Sequence, residues 1–320
     1  MDMKKLKLMM LKKMCSMRET FFIAVLILSG LAAQAQVDSL QSAIKYFSKI
    51  EADKANKDLQ KMDIERAKTA INVAITHPAT MNDPYTWHVR GFIYREIGKV
   101  LESGDKSSKS RLEAVESFKK SMKVDTANEY LNDNKKTIRA IANSFFNDAA
   151  TYFNPSDYKM AISNYEKYRE ISLFLDPKAD LRAKDIEFKN ALVSLYFNIY
   201  DSDPKKNVDF FDKIKLLCNE VMQIDPENLN ANYNLGILYY NQAVNIINEQ
   251  DYDMDMFQLV EMQEKTVAIF KQSLPYMEKA YTLNPKDKRT LTGLAGIYFS
   301  LNEFEKSNEM KAKIESLDKK

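Results

Sequence analysis

Trp87-His88-Val89-Arg90-Gly91-Phe92-Ile93-Tyr94 is the stretch that decides the fold. Residues three and four apart share one face of a helix, so Trp87, Gly91 and Tyr94 form a stripe with a hole in its middle. A glycine inside a helix costs about 1 kcal/mol relative to alanine. Its presence here marks a place where a neighbouring helix must come close. The same grammar returns in Asn234-Leu235-Gly236-Ile237-Leu238-Tyr239, and looser copies bring the total to six.

Each copy is followed by a second helical pattern. After Gly91 come Ala114, Phe118, Ser121 and Val124 at helical spacing; after Gly236 the partner closes on Ala280-Tyr281-Thr282-Leu283-Asn284-Pro285. The combination W-x2-L-G-x2-Y, A-x3-F and a closing proline resembles the tetratricopeptide repeat. That resemblance implies an all-α, right-handed superhelical solenoid of about six antiparallel helix pairs, a fold whose usual product is a concave binding surface. Turn signals place the pairs near 37–78, 84–126, 138–177, 186–226, 229–285 and 288–318. In the first pair, 37–59 and 64–76 are expected to be helical. In the third, Ala149 and Tyr152 are taken as the small residue and its aromatic. The fifth pair exceeds the usual repeat of about 34 residues by two dozen, and the excess lies between Gln242 and Thr266. Gly91 and Gly236, each at a close approach, are expected to accept alanine but not leucine.

The first 35 residues read as something else. Lys4, Lys5, Lys7, Lys12, Lys13 and Arg18 precede an apolar run, Phe21–Leu31, too short to span a bilayer comfortably, and Ala33-Gln34-Ala35 is a small-x-small cleavage site. This is the pattern of a secretory signal peptide, with residues 36–320 as the solenoid. The Gln-Ala-Gln ending resembles signal peptides common in Bacteroidota, which implies a periplasmic or outer-membrane-associated protein. The formal charge of +2 belongs to this segment: without it 41 basic and 43 acidic residues remain. No concentrated positive field is left for nucleic acid. Cys15 leaves with the segment and Cys218, on an apolar helical face, has no partner for an internal disulfide.

Chemistry-bearing motifs are missing. His77 and His88 are the two histidines and lack metal-ligand spacing. There is no phosphate-cradling glycine loop and no nucleophile elbow. Asp251-Tyr252-Asp253-Met254-Asp255 begins like a calcium loop, but Met256 stands where that loop needs glycine and Met262 where it needs glutamate. The expectation is therefore of no enzyme activity, no cofactor and no metal.

Binding residues follow from the resemblance, in which the first helix of each pair lines the groove. Counting from the small residues places His88, Phe92 and Arg95 there; Phe146, Asn147 and Phe153; Phe197 and Tyr200; and Tyr233, Asn234, Ile237, Tyr240 and Asn241. Aromatic rings supply apolar contact area, and asparagine amides can pair with a peptide backbone through one acceptor and two donors. Trp87, Tyr94, Tyr152, Tyr239 and Tyr298 are instead expected to pack within the repeats, since helical spacing alone accounts for them. The reading is a protein-binding scaffold of the bacterial cell envelope that takes a peptide segment or partner protein in its groove. The alternative is a structural subunit of an outer-membrane uptake or secretion assembly, held by its convex face or by the 243–266 extension. Export with cleavage after Ala35 makes one sharp prediction: intact-mass analysis of the secreted chain should give a start at Gln36, and a retained apolar segment would refute it.

Overall fold

A computed structural model describes residues 39–105, 108–249 and 254–318; the expected signal segment lies outside these. Among the described residues every regular element is a helix. They are α1 (39–52), α2 (Lys57–Ala74), α3 (Pro84–Val100), α4 (Lys109–Val124), α5 (Leu131–Ala150), α6 (Tyr158–Leu175), α7 (Arg182–Ser202), α8 (Asp209–Ile224), α9 (Leu229–Asn248), α10 (Met256–Leu283), α11 (Lys288–Ser300) and α12 (Phe304–Asp318). Helices pack on their sequence neighbours: α3 on α4, α7 on α8, α9 on α10 and α11 on α12. This is the pairing of an all-α solenoid. The described residues form two compact units, one holding those up to Ala149 with Ser163–Pro177, the other Ala150–Ile162 with those from Lys178 on.

Helix starts are written locally. Asp83, followed by Pro84, accepts hydrogen bonds from the backbone of Tyr85 and Thr86. Asn228 caps α9 through Ala231 N, and Asp287 caps α11 through Arg289 N. These side chains satisfy N–H groups that a helix start leaves unpaired. The same device changes the first pair. The helix expected over 37–59 stops at 52, a 3-10 turn covers Asp53–Ala55, and Asn56 caps a new helix through Asp58 N and Leu59 N. The partner helix thus starts at Lys57, seven residues before the expected Ile64.

The glycines sit where expected, under a side chain of the second helix. A methyl group on Gly91 would lie 2.6 Å from Cδ1 and Cζ of the Phe118 ring, which is fully buried. One on Gly236 would lie 3.2 Å from Met277 Cε and from its backbone nitrogen. Met277 also reaches Gly293 of α11, so one side chain joins two first helices. In the last two pairs the contact is sealed by a hydrogen bond: Ser273 Oγ donates to Gly236 O at 2.6 Å, and Ser307 Oγ to Ala295 O at 2.8 Å. Gly236 and Ala295 therefore hold the same position of the repeat, which will be called the anchor.

Three residues after each anchor an aromatic reaches back to the preceding pair. The Tyr94 hydroxyl is hydrogen-bonded to Asn72 of α2 at 2.9 Å. The Tyr239 ring lies 6.0 Å from that of Phe211 of α8, and the Tyr298 hydroxyl donates to Glu278 of α10 at 2.7 Å. Arg90 backs the first of these. It is 8 % exposed, stacks on Tyr94 at 4.1 Å, and donates to Glu113 (2.9 Å), Ser117 (2.5 Å) and Asn72 (3.3 Å), so its buried charge is compensated.

This register corrects the third pair. In α5 Ala142 and the aromatic three later, Phe145, are both buried, and the Arg111 guanidinium of α4 lies over the Phe145 ring at 4.1 Å. Ala149 and Tyr152 are seven residues too late, and Tyr152 lies beyond the helix. In α7 the corresponding residues are Val193 and Tyr196; the Tyr196 ring meets that of Tyr158 at 5.5 Å.

The Phe118 contact also overturns the expectation that Gly91 accepts alanine. Alanine gains about 1 kcal/mol of helix propensity, but overpacking a closed core costs about 1–3 kcal/mol. Gly91→Ala is expected to lower the melting temperature, whereas Gly236→Ala, whose methyl would meet Met277 at 3.2 Å and not at 2.6 Å, should cost less. Thermal melts that rank the two substitutions the other way would refute the packing described.

Candidate functional site

With anchors at Gly91, Ala142, Val193, Gly236 and Ala295, the first helices α3, α5, α7, α9 and α11 can be compared position by position. Residues three before, one after and four after the anchor share a face. On α3 these are His88, Phe92 and Arg95; on α9 they are Tyr233, Ile237 and Tyr240. They do not form an open groove floor. His88 Nδ1 is 2.7 Å from Asn134 Oδ1 of α5, and Asn134, fully buried, donates to Ser121 Oγ at 2.9 Å. The His88 and Phe92 rings meet at 4.9 Å, and Phe92 reaches Phe118 at 5.2 Å and Phe47 of α1 at 6.4 Å. On α9 the Tyr233 ring carries the Arg289 guanidinium of α11 at 4.9 Å. The Tyr240 ring packs so closely on α11 that a methyl at Gly296 would lie 2.9 Å from its Cε2. These side chains join α3 and α9 to neighbouring first helices.

Three of the expected groove residues are thus accounted for otherwise. Tyr200 is 6 % exposed and its ring lies 6.1 Å from that of Phe211 in α8. Phe153 lies beyond the end of α5 and packs on Phe188 at 5.4 Å. Phe146 lies against Tyr168 of its own pair at 5.1 Å. Tyr200 and Phe153 followed from misplaced registers, whereas Phe146 does stand four after its anchor Ala142 but is taken up by its own pair. Phe197, four after its anchor, is half-buried.

A different position carries the open chemistry. Five residues after the anchor stand Glu96, Asn147, Asn198, Asn241 and Ser300. Asparagine recurs in α5 of the first unit and in α7 and α9 of the second. Asn147 and Asn198 are exposed and Asn241 is half-exposed, and no hydrogen bond among the described residues engages their amides. Asn234, two before its anchor, is likewise unengaged and half-exposed, and shares the i, i+7 face of α9 with Asn241 across Ile237. Sequence reasoning found Asn147, Asn234 and Asn241 but missed Asn198, because the α7 anchor is a valine and not a glycine.

In α3 the same position is charged. Burial opposes the ionised form of Glu96, but hydrogen bonds from Lys99 and from Arg95 outweigh it and hold the carboxyl below its usual range. Both donors lie 2.9 Å from Glu96 Oε1. Arg95 also borders a cleft of about 380 Å³ whose walls include Lys99, Glu102, Arg111, Ser144 and Asp148; Arg111 donates to Asp148 at 2.7 Å and to Ser144 at 3.0 Å. Opposite charges alternate there, so the cleft has no single-sign field.

Among the described residues no group of three or more His, Cys, Asp or Glu is placed to hold a metal. Asp255 of the calcium-like stretch caps α10, accepting from Gln258 N at 2.9 Å, while Asp251 and Asp253 lie outside the described residues. Burial pushes the Cys218 thiol up to about 12, and a protonated thiol is a poor nucleophile. No helix among the described residues is long and apolar enough to cross a membrane.

The fold is all-helical and compatible with tetratricopeptide-like repeats. No protein-family model matches the chain, and no curated protein matches it in sequence. Among solved structures it is similar to a monomeric mutant of IFIT1 with Gppp-AAAA: 15 % identity, TM-score 0.32, covering 79 % of this chain and 46 % of that one. A second monomeric mutant of IFIT1, with m7Gppp-AAAA in the anti conformation of the cap, shows 12 % identity and TM-score 0.31, covering 87 % of this chain and 73 % of that one. The chain thus matches less than half the length of the first of these proteins. At such scores the likeness says nothing about ligands.

Proposed function

We propose that this chain is a non-catalytic, protein-binding scaffold exported to the bacterial cell envelope, and that it holds an extended peptide segment along the first helices α7 and α9 of its second unit. The observation that carries the reading is the recurrence of asparagine five residues after the anchor in α7 and α9 of the second unit, with side-chain amides left unengaged. An amide offers one acceptor and two donors, the complement of a peptide backbone. Its repetition at one position of the repeat supplies partners along a strand's length. The neighbouring rings of Tyr233 and Tyr240, both half-buried, lie against α11. The signal-like start supports export, and the near-neutral charge of the remainder supports a protein partner over nucleic acid.

The test uses peptides selected on the immobilised chain from a random display library, with a single-stranded RNA oligonucleotide as counter-probe. Asn198→Ala with Asn241→Ala should weaken the selected peptides at least about tenfold, since each unpaired backbone group costs about 1–3 kcal/mol. The melting temperature should not change, because neither amide is engaged within the fold. Tyr240→Ala is unsuitable as a groove probe because that ring packs on Gly296. Peptides bound equally by the double variant, or RNA bound more tightly than any peptide, would refute the reading.

A further inference from the structure

The most exposed large apolar side chains of the described chain are Phe257 (87 %) and Met256 (72 %), in the first turn of α10. Ile247 at the end of α9 and Leu259 and Val260 on α10 are also exposed. The turn is held firmly: Asp255 Oδ1 accepts from Gln258 N at 2.9 Å and Gln258 Oε1 accepts from Asp255 N at 3.0 Å, a reciprocal cap. A capped helix start that presents phenylalanine to water is built for contact. Phe257, Val260, Glu261 and Glu264 fall on one face. Glu261 and Glu264 are exposed and make no ion pair among the described residues.

The complement of this face lies on the same chain. In the first unit, α4 and the end of α6 form a cleft of about 530 Å³ lined by Glu116, Lys119, Lys120, Met122, Lys123 and Phe174. Phe174 is 43 % exposed and Leu173 beside it 37 %. Lys119 is held by Glu116 at 2.7 Å, but Lys120 and Lys123 have no carboxylate partner among the described residues. These two lysines are three apart on α4, as the two unpaired glutamates are on α10, so each pair is separated by about 4.5 Å along its axis. Phe257 precedes the first glutamate by one turn, as an apolar plug beside a double charge.

We infer that the capped start of α10 binds a second copy of this chain, with Phe257 entering the cleft beside Phe174 and Glu261 and Glu264 pairing with Lys120 and Lys123. The occupant is a protein and not an anionic bilayer, because the carboxylates beside Phe257 would be repelled by such a surface. The contact joins two different patches and not one patch to itself. A plug of this size buries less than a standard interface of about 1,600 Å², so the association is weak and relies on its charges.

Sedimentation velocity on the purified chain tests this, at increasing concentration and at about 0.05 M and 0.5 M salt, where screening of exposed charges differs strongly. The chain should associate, less so at high salt. E261K/E264K and K120E/K123E should each weaken association about tenfold or more, as should F257S. All these residues are surface-placed, and unchanged melting curves will show that the fold is kept. Mixing the two charge-reversed variants should restore association, because reversed tip then meets reversed cleft. A monomer at every concentration, an association indifferent to either reversal, or a mixture that fails to associate would each overturn the inference.

Discussion

The whole structure rests on how closely the two helices of a pair can approach at one point. At Gly91 and Gly236 the absence of a side chain lets Phe118 and Met277 lie against backbone, and at Gly236 and Ala295 a serine of the second helix donates to the anchor carbonyl. Interiors are packed as densely as organic crystals, so a contact this tight fixes the rotation of the first helix about its own axis. Every other residue of that helix then has its direction assigned. The aromatic three later points back to the preceding pair, and in α9 the residue four later, Tyr240, points on to α11.

That assignment separates structural from functional side chains. Tyr233, Tyr240, His88 and Phe92 have the composition of a ligand-binding surface, yet Arg289, Gly296, Asn134 and Phe118 already engage them. The asparagines five after the anchor are not engaged, and it is their repetition that makes them a candidate ladder. The extended fifth pair follows a different logic. Its second helix is the longest of the chain's described helices, and what it carries at its start is an apolar plug with unpaired acid beside it.

Much of the fold was legible in the sequence because glycine, proline and capping residues act locally. Trp87–Tyr94 and Asn234–Tyr239 gave the right register for α3 and α9, and the openings expected at 84 and 229 are the helix starts Pro84 and Leu229. Legibility failed in α5 and α7. Ala142 and Val193 are ordinary helix residues, and only the buried aromatics three later, Phe145 and Tyr196, mark them. Ala149 with Tyr152 imitated the same spacing seven residues on. Pro275, in the interior of α10, shows the converse: a residue that usually ends helices sits exposed on one that continues to Leu283. The candidate site inherited these errors. Tyr200 and Phe153 were placed by wrong registers, while Asn198 was invisible until the α7 anchor was known. Arg90, a charge in the middle of the motif, gave no sign in sequence that Asn72, Glu113 and Ser117 would surround it, because those partners come from two other helices.

The most direct test of the close-approach claim is a double-mutant cycle between Gly91→Ala and Phe118→Leu, read by denaturant unfolding. If the added methyl is destabilising because it meets the Phe118 ring, shortening that ring must relieve it, and the double variant should be more stable than the sum of the single effects by about 1 kcal/mol or more. Effects that add to within about 0.5 kcal/mol would mean that the two residues do not meet, and the register that orients every first helix would be wrong.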